Sequence, residues 1–199
     1  LNADLSILWF VNQTLASSWL DAIMNVATHA RYWIPIYLLG AGLLVWKQKR
    51  RGVYILLAIA LLILVSDQLA SHVIKGLWER LRPCATLADG STVVPWIRLP
   101  IGPRSGFSFP SSHAVNNFAV ATFLIVLFGS VPKIRYLFFV AALPAVSRIY
   151  LGLHYPSDVV GGALIGAVLG LVFAIGFFYL EDRSEKKSPK EFIGANGTT

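Results

Sequence analysis

Val159–Leu180 reads VVGGALIGAVLGLVFAIGFFYL. The stretch has no charged side chain and is as long as the roughly 20 helical residues that cross the hydrocarbon core of a bilayer. Gly162, Gly166 and Gly170 recur every four residues in it, one turn apart, with Gly161 beside them. Small residues at that spacing let a neighbouring helix approach closely, and packing is the role read for them here. The rest of the chain agrees with a membrane class. Of its 199 residues, 56% are hydrophobic and only 14% charged. Soluble domains carry about 25% charged residues. Disordered chains are poor in apolar residues, so disorder is excluded. With Cys84 as the single cysteine, so is a disulfide scaffold.

Working outward, Val53–Ser66 (VYILLAIALLILVS) runs through a more polar Asp67–Ile74 to Lys75, and Ala114–Phe128 forms a third apolar run. Tyr136–Val146 reaches spanning length if its helix continues to about Leu153, and Tyr32–Trp46 does so if it begins near Ala22. Near the N-terminus, Leu5, Leu8, Trp9, Leu15 and Trp19 alternate with Asn12, Gln13, Ser17 and Ser18, a pattern suited to an interfacial helix. No basic, short apolar pattern of a cleavable signal peptide precedes it. The expected fold is all-α: a polytopic membrane bundle of five or six transmembrane helices with an amphipathic N-terminal segment. It forms one integral-membrane domain over residues 1–182, followed by a polar cytoplasmic tail over 183–199.

The net charge of +7 would suggest nucleic acid in a soluble protein. Here the alternation of spans puts Lys47–Arg51 (KQKRR), Lys133–Arg135 and the tail lysines Lys186, Lys187 and Lys190 at one side. The positive-inside rule makes that side cytoplasmic, so the charge sets orientation and implies no nucleic-acid partner.

The same alternation gathers chemistry at the opposite face. The second span leaves at Lys75, followed by Arg82 and Pro83; the third enters at Pro110-Ser111-Ser112-His113. The fourth ends near Ser147-Arg148, and the fifth starts after His154-Tyr155-Pro156-Ser157-Asp158. Pro110 and two serines form a helix start with a serine as N-cap, and Pro156 suits the first turn of a helix. Helix N-termini present free N–H donors to phosphate, and Lys75, Arg82 and Arg148 add full charges. A neutral imidazole can attack phosphorus. Asp158, four residues after His154, can reach that ring's far nitrogen, and His113 can protonate a leaving oxygen as general acid. Of the 10 acidic residues only Asp158 falls in this set, so no carboxylate cluster offers itself to a divalent cation.

At these residues the chain resembles the type 2 phosphatidic acid phosphatase superfamily. Lys75-x6-Arg82-Pro83, Pro110-Ser111-Ser112-His113 and Ser147-Arg148-x5-His154-x3-Asp158 look like that family's three signature motifs, in its order. The resemblance implies His154 as the nucleophile that forms a phosphohistidine, Asp158 as its partner and His113 as general acid. It further implies that Lys75, Arg82, Arg148, Ser111 and the backbone of Ser112 and His113 bind phosphoryl oxygens. No metal and no cofactor is required. One position departs: Ser112 stands where the family usually has glycine, which adds a hydroxyl beside the phosphate cradle.

The implied function is metal-independent hydrolysis of a phosphomonoester or terminal diphosphate on a membrane lipid. The substrates suggested are undecaprenyl diphosphate, phosphatidylglycerophosphate, phosphatidic acid and lipid A phosphates. The expected setting is a bacterial inner membrane with the site facing outward, and the expected partners are the lipid substrate and the bilayer. A phosphotransferase passing the group to a second lipid is a close alternative. An anion or lipid transporter is a distant one, since transporters place their sites near the midplane and often carry inverted repeats. Other polar residues have plainer readings. Asp67, with Ser66, Gln68 and Ser71, suits a polar seam between helices. Arg80, Arg98 and Arg104 could greet anionic headgroups but read first as solvated loop charge, His29 and His72 lack catalytic company, and Cys84 is incidental. Trp9, Trp19, Trp33 and Trp46 read as interfacial anchors.

Overall fold

In the computed structural model, which describes residues 3–187, the chain is helical, and the one β contact among those residues is an isolated bridge between Thr86 and Thr92. Helix α1 (Ala3–Trp9) passes into a π-helical turn, Phe10–Thr14, and is followed by α2 (Ser18–Thr28) and α3 (Ala30–Gln48). Helix α4 (Arg50–Gln68) continues through a second π-helical stretch, Leu69–Ile74, into α5 (Lys75–Trp78). After a long connection come α6 (Ser112–Leu127), α7 (Leu137–Tyr150) and α8 (Pro156–Lys187).

The glycine stripe of α8 packs against α6. A Cβ at Gly166 would overlap the Val115 carbonyl, and one at Gly170 the Ala119 carbonyl. The close approach therefore needs residues without side chains there. Around this seam Ile55 and Leu62 of α4, Ala119, Phe123 and Leu127 of α6 and Ala174 of α8 make one buried cluster. Outward faces are apolar too: Leu38 of α3, Leu57 of α4, Phe139 of α7 and Leu164 of α8 are all exposed. An apolar surface of this extent suits lipid tails better than water.

Two helical runs, Arg50–Trp78 and Pro156–Ser184, are long and apolar enough to cross a membrane, while Ser112–Leu127 is apolar but shorter. Two expected extensions do not form. The third helix does not begin near Ala22, because the backbone turns extended at His29 and separates α2 from α3. Helix α7 does not reach Leu153. It stops at Tyr150, and Gly152 follows with φ +74° against the Arg98 carbonyl. Only glycine adopts that conformation without strain. Helix α8 runs on to Lys187, so the first residues read as tail continue the helix; residues 188–199 lie outside the described residues.

The N-terminal segment is only half interfacial. Ile7, Trp9 and Phe10 are exposed, but Leu8 and Asn12 are fully buried. Asn12 donates to the carbonyls of Tyr150 (2.7 Å) and Arg98 (2.9 Å), which ties this segment to the connection 79–111 and to the end of α7. Asp21 of α2 repeats the tie, accepting two bonds from Arg98 (2.5 and 2.9 Å) and one from the Tyr150 hydroxyl (2.6 Å). Arg98 is thus paired, not a solvated loop charge.

Candidate active site

The ends of α5, α6, α7 and α8 meet beneath the connection 79–111. A cavity of about 400 Å³ opens there, lined by Thr28, His29, Ala30, Arg82, Arg104, Ser105, His113 and Arg148. Each cation arrives by a local device. Lys75 follows the π-helical stretch, a wider turn that is frequent at functional sites. Glu79, in the left-handed conformation, ends α5 and turns the chain toward Arg82. Arg148 sits in the last turn of α7. Its carbonyl accepts the N–H groups of Leu153 (2.9 Å) and His154 (3.2 Å), folding the His154 turn back under the helix end.

His154 is 2% exposed, and its Nε2 lies 2.8 Å from Arg82 Nη1. A guanidinium can only donate, so Nε2 is the acceptor and the ring proton sits on Nδ1. Nδ1 faces Asp158 Oδ2 at 3.6 Å, beyond hydrogen-bond length, and has no other partner among the described residues. Burial is the main cause that pushes the His154 pKa down, to about 3, against the opposing pull of Asp158. The imidazole is therefore neutral over the physiological range, with its Nε2 lone pair turned toward Arg82, which lines the cavity.

Asp158 is fully buried and held from several sides. Its Oδ2 accepts from the Tyr155 N–H (2.8 Å) and from the Ser108 hydroxyl. Its Oδ1 accepts from Arg80 Nη1 at 2.8 Å. Arg80 is thus no solvated loop charge: it also bonds Asp4 and Ser157 and lies over the Tyr155 ring at 3.9 Å. Burial opposes the charge on Asp4, yet the bonds from Arg80 and Ser157 hold its pKa below the usual carboxylate value.

Arg82 and Arg148 are each 7% exposed. Arg82 donates to the Leu153 carbonyl (3.1 Å) and the Gly106 carbonyl (3.2 Å), and burial draws its pKa down. Arg148 Nη1 donates to Thr28 Oγ1 at 2.7 Å, while its buried Nε has no partner among the described residues. The Thr28 carbonyl lies 3.1 Å from His113 Nε2, which must then carry the proton, because a carbonyl only accepts. Ser111 is the N-cap residue of α6, but its buried hydroxyl makes no cap bond and has no partner among the described residues. Its N–H is already used by the Asp158 carbonyl (3.1 Å). The Ser112 hydroxyl accepts from Lys75 Nζ (3.0 Å) and lies 3.2 Å from Ser71 Oγ, so it anchors Lys75 at the helix start.

Of the eight residues read from the sequence, Arg82, His113 and Arg148 line the cavity and His154 joins it through Arg82. Asp158 stands behind His154 with the Ser111 N–H on its carbonyl, and Lys75 and Ser112 bond each other beside His113 at the start of α6. The structure adds Thr28 and Ser108, for which no sequence pattern speaks, and Arg80 and Arg104, both read as solvated charge. His72 is exposed and makes no contact there. Asp67 lies in a polar seam as expected, at 3.4 Å from both Ser71 and Asn116, with Ser66 bonded to Asn116 at 2.8 Å.

Residues 52–182 match the PAP2 superfamily. The chain belongs to that superfamily. Its relatives include the lipid A 4'-phosphatase of Bacteroides thetaiotaomicron, 33% identical over 96% of this chain and 84% of that protein. Phosphatidylglycerophosphatase B of Bacillus subtilis is 29% identical over 84% of this chain and 77% of that protein. Among solved structures, Aquifex aeolicus LpxE superposes with TM-score 0.60 at 27% identity, covering 85% of this chain and 93% of that one. The transmembrane PAP2 type phosphatidylglycerolphosphate phosphatase of Bacillus subtilis shares the fold, with TM-score 0.55 at 24% identity, 96% of this chain and 90% of that one. The family match begins after α3, so Thr28 and the whole N-terminal segment lie outside the matched residues.

Proposed function

We propose that this PAP2 protein is an integral-membrane lipid phosphatase that removes a phosphomonoester or terminal diphosphate phosphoryl group through a phosphohistidine on His154. One observation carries the reading: a buried, neutral His154 whose Nε2 faces Arg82 at 2.8 Å while its Nδ1 side faces a clamped Asp158. In the first step the Nε2 lone pair forms the P–N bond as the bond from phosphorus to the leaving oxygen breaks. For this step His113 enters as the imidazolium, its second proton taken up together with the anionic substrate; it gives that Nδ1 proton to the leaving oxygen and keeps its Nε2–H on the Thr28 carbonyl. The imidazolium charge on His154 is balanced by Asp158. In the second step water attacks phosphorus, His113 takes back a proton, and the P–N bond breaks to free phosphate.

Arg82, Arg148 and Lys75 hold the phosphoryl oxygens, with the unpartnered Ser111 hydroxyl and Arg148 Nε supplying further donors. Such positioning and charge neutralisation are most of what phosphoryl transfer needs. No group of three or more His, Cys, Asp or Glu side chains gathers among the described residues.

The helices α3, α4–α5, α6, α7 and α8 serve as five spans, with α1 and α2 at the interface. The basic end, where Arg51 meets Glu181, faces the cytoplasm, and the site faces outward. Residues 1–182 act as one membrane domain, and the tail stays on the cytoplasmic side. Names of relatives place lipid A 4'-phosphate, phosphatidylglycerophosphate and undecaprenyl diphosphate among the substrates to test. The test is free phosphate released from these lipids and from phosphatidic acid by purified enzyme, beside His154→Ala. The expected outcome is release by the wild type, resistance to EDTA and loss of turnover in a folded variant. Undiminished release by His154→Ala sinks the mechanism. Inactivation by EDTA sinks the metal-free reading, and consumption of lipid phosphate without free phosphate points to transfer onto a second lipid.

A further inference from the structure

Four arginines stand on the connection 79–111, and three are engaged. Arg80 pairs with Asp4 and Asp158, Arg98 with Asp21, and Arg82 with two carbonyls and His154. Arg104 is exposed, and its guanidinium has no hydrogen bond or ion pair among the described residues. Its backbone, by contrast, is held. The Arg104 carbonyl accepts a weak bond from Cys84 Sγ at 3.8 Å, so that buried cysteine is not incidental. Two residues on, the Gly106 carbonyl accepts from Arg82 Nε. The loop tip is thereby pinned to the site with a free cation upon it.

Arg104 and Ser105 also line both cavities at this end of the molecule. One, about 400 Å³, holds Arg82, Arg148 and His113. The other, about 460 Å³, lies among Leu81, Cys84, Thr86, Pro103 and Phe107. Arg104 and Ser105 are the wall the two share, so a headgroup that reaches from one cavity toward the other meets Arg104.

Charge then argues for a second anion. A phosphate monoester carries about −1.5 to −2 at neutral pH. Arg82, Arg148 and Lys75 already match that. A fourth cation makes the site worse for Arg82, whose charged form the Arg104 charge disfavours. Such repulsion is offset when another anion binds between them. We propose that Arg104 and Ser105 form a subsite for a second phosphate group of the substrate headgroup, next to the phosphoryl group that is removed. This rests on the phosphatase reading above. The second phosphate has two possible sources: direct attachment in a lipid diphosphate, or attachment through a glycerol spacer as in phosphatidylglycerophosphate.

The experiment compares full-length wild type, Arg104→Gln and Arg104→Lys on undecaprenyl diphosphate, phosphatidylglycerophosphate and phosphatidic acid in one detergent. The readout is each lipid's kcat/KM divided by that for phosphatidic acid, which has no second phosphate. Arg104→Gln is expected to lower this ratio about tenfold for at least one two-phosphate lipid, carried mainly by KM, with partial recovery in Arg104→Lys. A fall for the diphosphate alone means direct attachment; a fall for phosphatidylglycerophosphate alone means the spaced arrangement. Ratios within twofold of wild type for both lipids overturn the subsite, even if all three rates drop together. Release from lipid A alone, with none from these three, overturns the subsite; a wild type that releases phosphate from none of the three and none from lipid A overturns the phosphatase reading itself, an outcome seen before any variant is made.

Discussion

Arg51, where α4 begins, keeps 35% of its side chain exposed and pairs with Glu181 of α8 at 2.6 Å. Arg82 and Arg148, at the opposite end of the bundle, are each 7% exposed and touch no carboxylate among the described residues. Burying a guanidinium without a counter-ion costs free energy that folding must supply from elsewhere. The bundle bears that cost at one end only. There the arginines meet carbonyls, a threonine hydroxyl and a neutral imidazole, all of which leave the positive charge uncompensated. A charge kept in that state is available to an anionic ligand, and one already spent on glutamate is not.

The sharpest way to break this contrast is at Arg82. Arg82→Gln removes the donor on His154 Nε2 and one phosphoryl-binding charge, and kcat/KM for phosphate release is expected to fall about 10²–10³-fold. A fall below tenfold would mean that the buried charge serves the fold and not the ligand. Asp158→Asn comes next. An amide in its place cannot balance imidazolium charge and meets Arg80, Ser108 and Tyr155 N–H with a mismatched donor. The expected loss is about 10²-fold or more in kcat, with KM little changed. An effect on KM alone would assign Asp158 to binding.

How far sequence reaches differs between the same two sets of contacts. Apart from Arg82, which lies in the connection, the motif residues are legible because they stand at or beside helix ends, and helix ends are written locally: Pro156 opens α8, Ser111 precedes α6, and uncharged runs mark the interiors. Up-and-down alternation then brings those ends together without further information. The contacts that orient them are long-range. Thr28 reaches Arg148 across 120 positions, Asp4 reaches Arg80 across 76, and Asn12 reaches Arg98 across 86. No periodicity or turn signal encodes such a pairing, and Asn12 even reads as a water-facing residue when it is buried. The His29 break has no glycine or proline to announce it; its purpose is visible only once the Thr28 carbonyl is seen beside His113. Ser112 gives the converse case. The sequence shows that a hydroxyl is added, and the structure shows it spent on Lys75.

Thr28 offers a smaller and more discriminating prediction. Thr28→Val keeps the shape and the backbone carbonyl that meets His113, but removes the 2.7 Å partner of Arg148. A charged hydrogen bond of this kind supports a loss of about tenfold in kcat/KM, felt mainly in KM because Arg148 holds substrate. Thr28→Ser retains the hydroxyl and should restore most of it. Equal losses in the serine and valine variants would instead make Thr28 a packing residue of α2.

The weakest effect belongs to the other end. Arg51 Nε and Nη2 reach both Glu181 oxygens, at 2.6 and 3.2 Å, a bidentate pair that looks stronger than anything Arg148 makes. Both side chains, however, are about a third exposed, at 35% and 31%. Water and salt screen such pairs, whose worth is about 0–1 kcal/mol. Arg51→Gln should therefore shift the thermal midpoint in detergent by no more than a few degrees, and that shift should shrink further at 0.5 M salt as screening shortens. Phosphate release should be unchanged, since the pair lies at the far end of α8 from His154. A loss of activity in Arg51→Gln with the midpoint intact would mean that the two ends are coupled along α4 or α8, and the division between spent and available charge would fail.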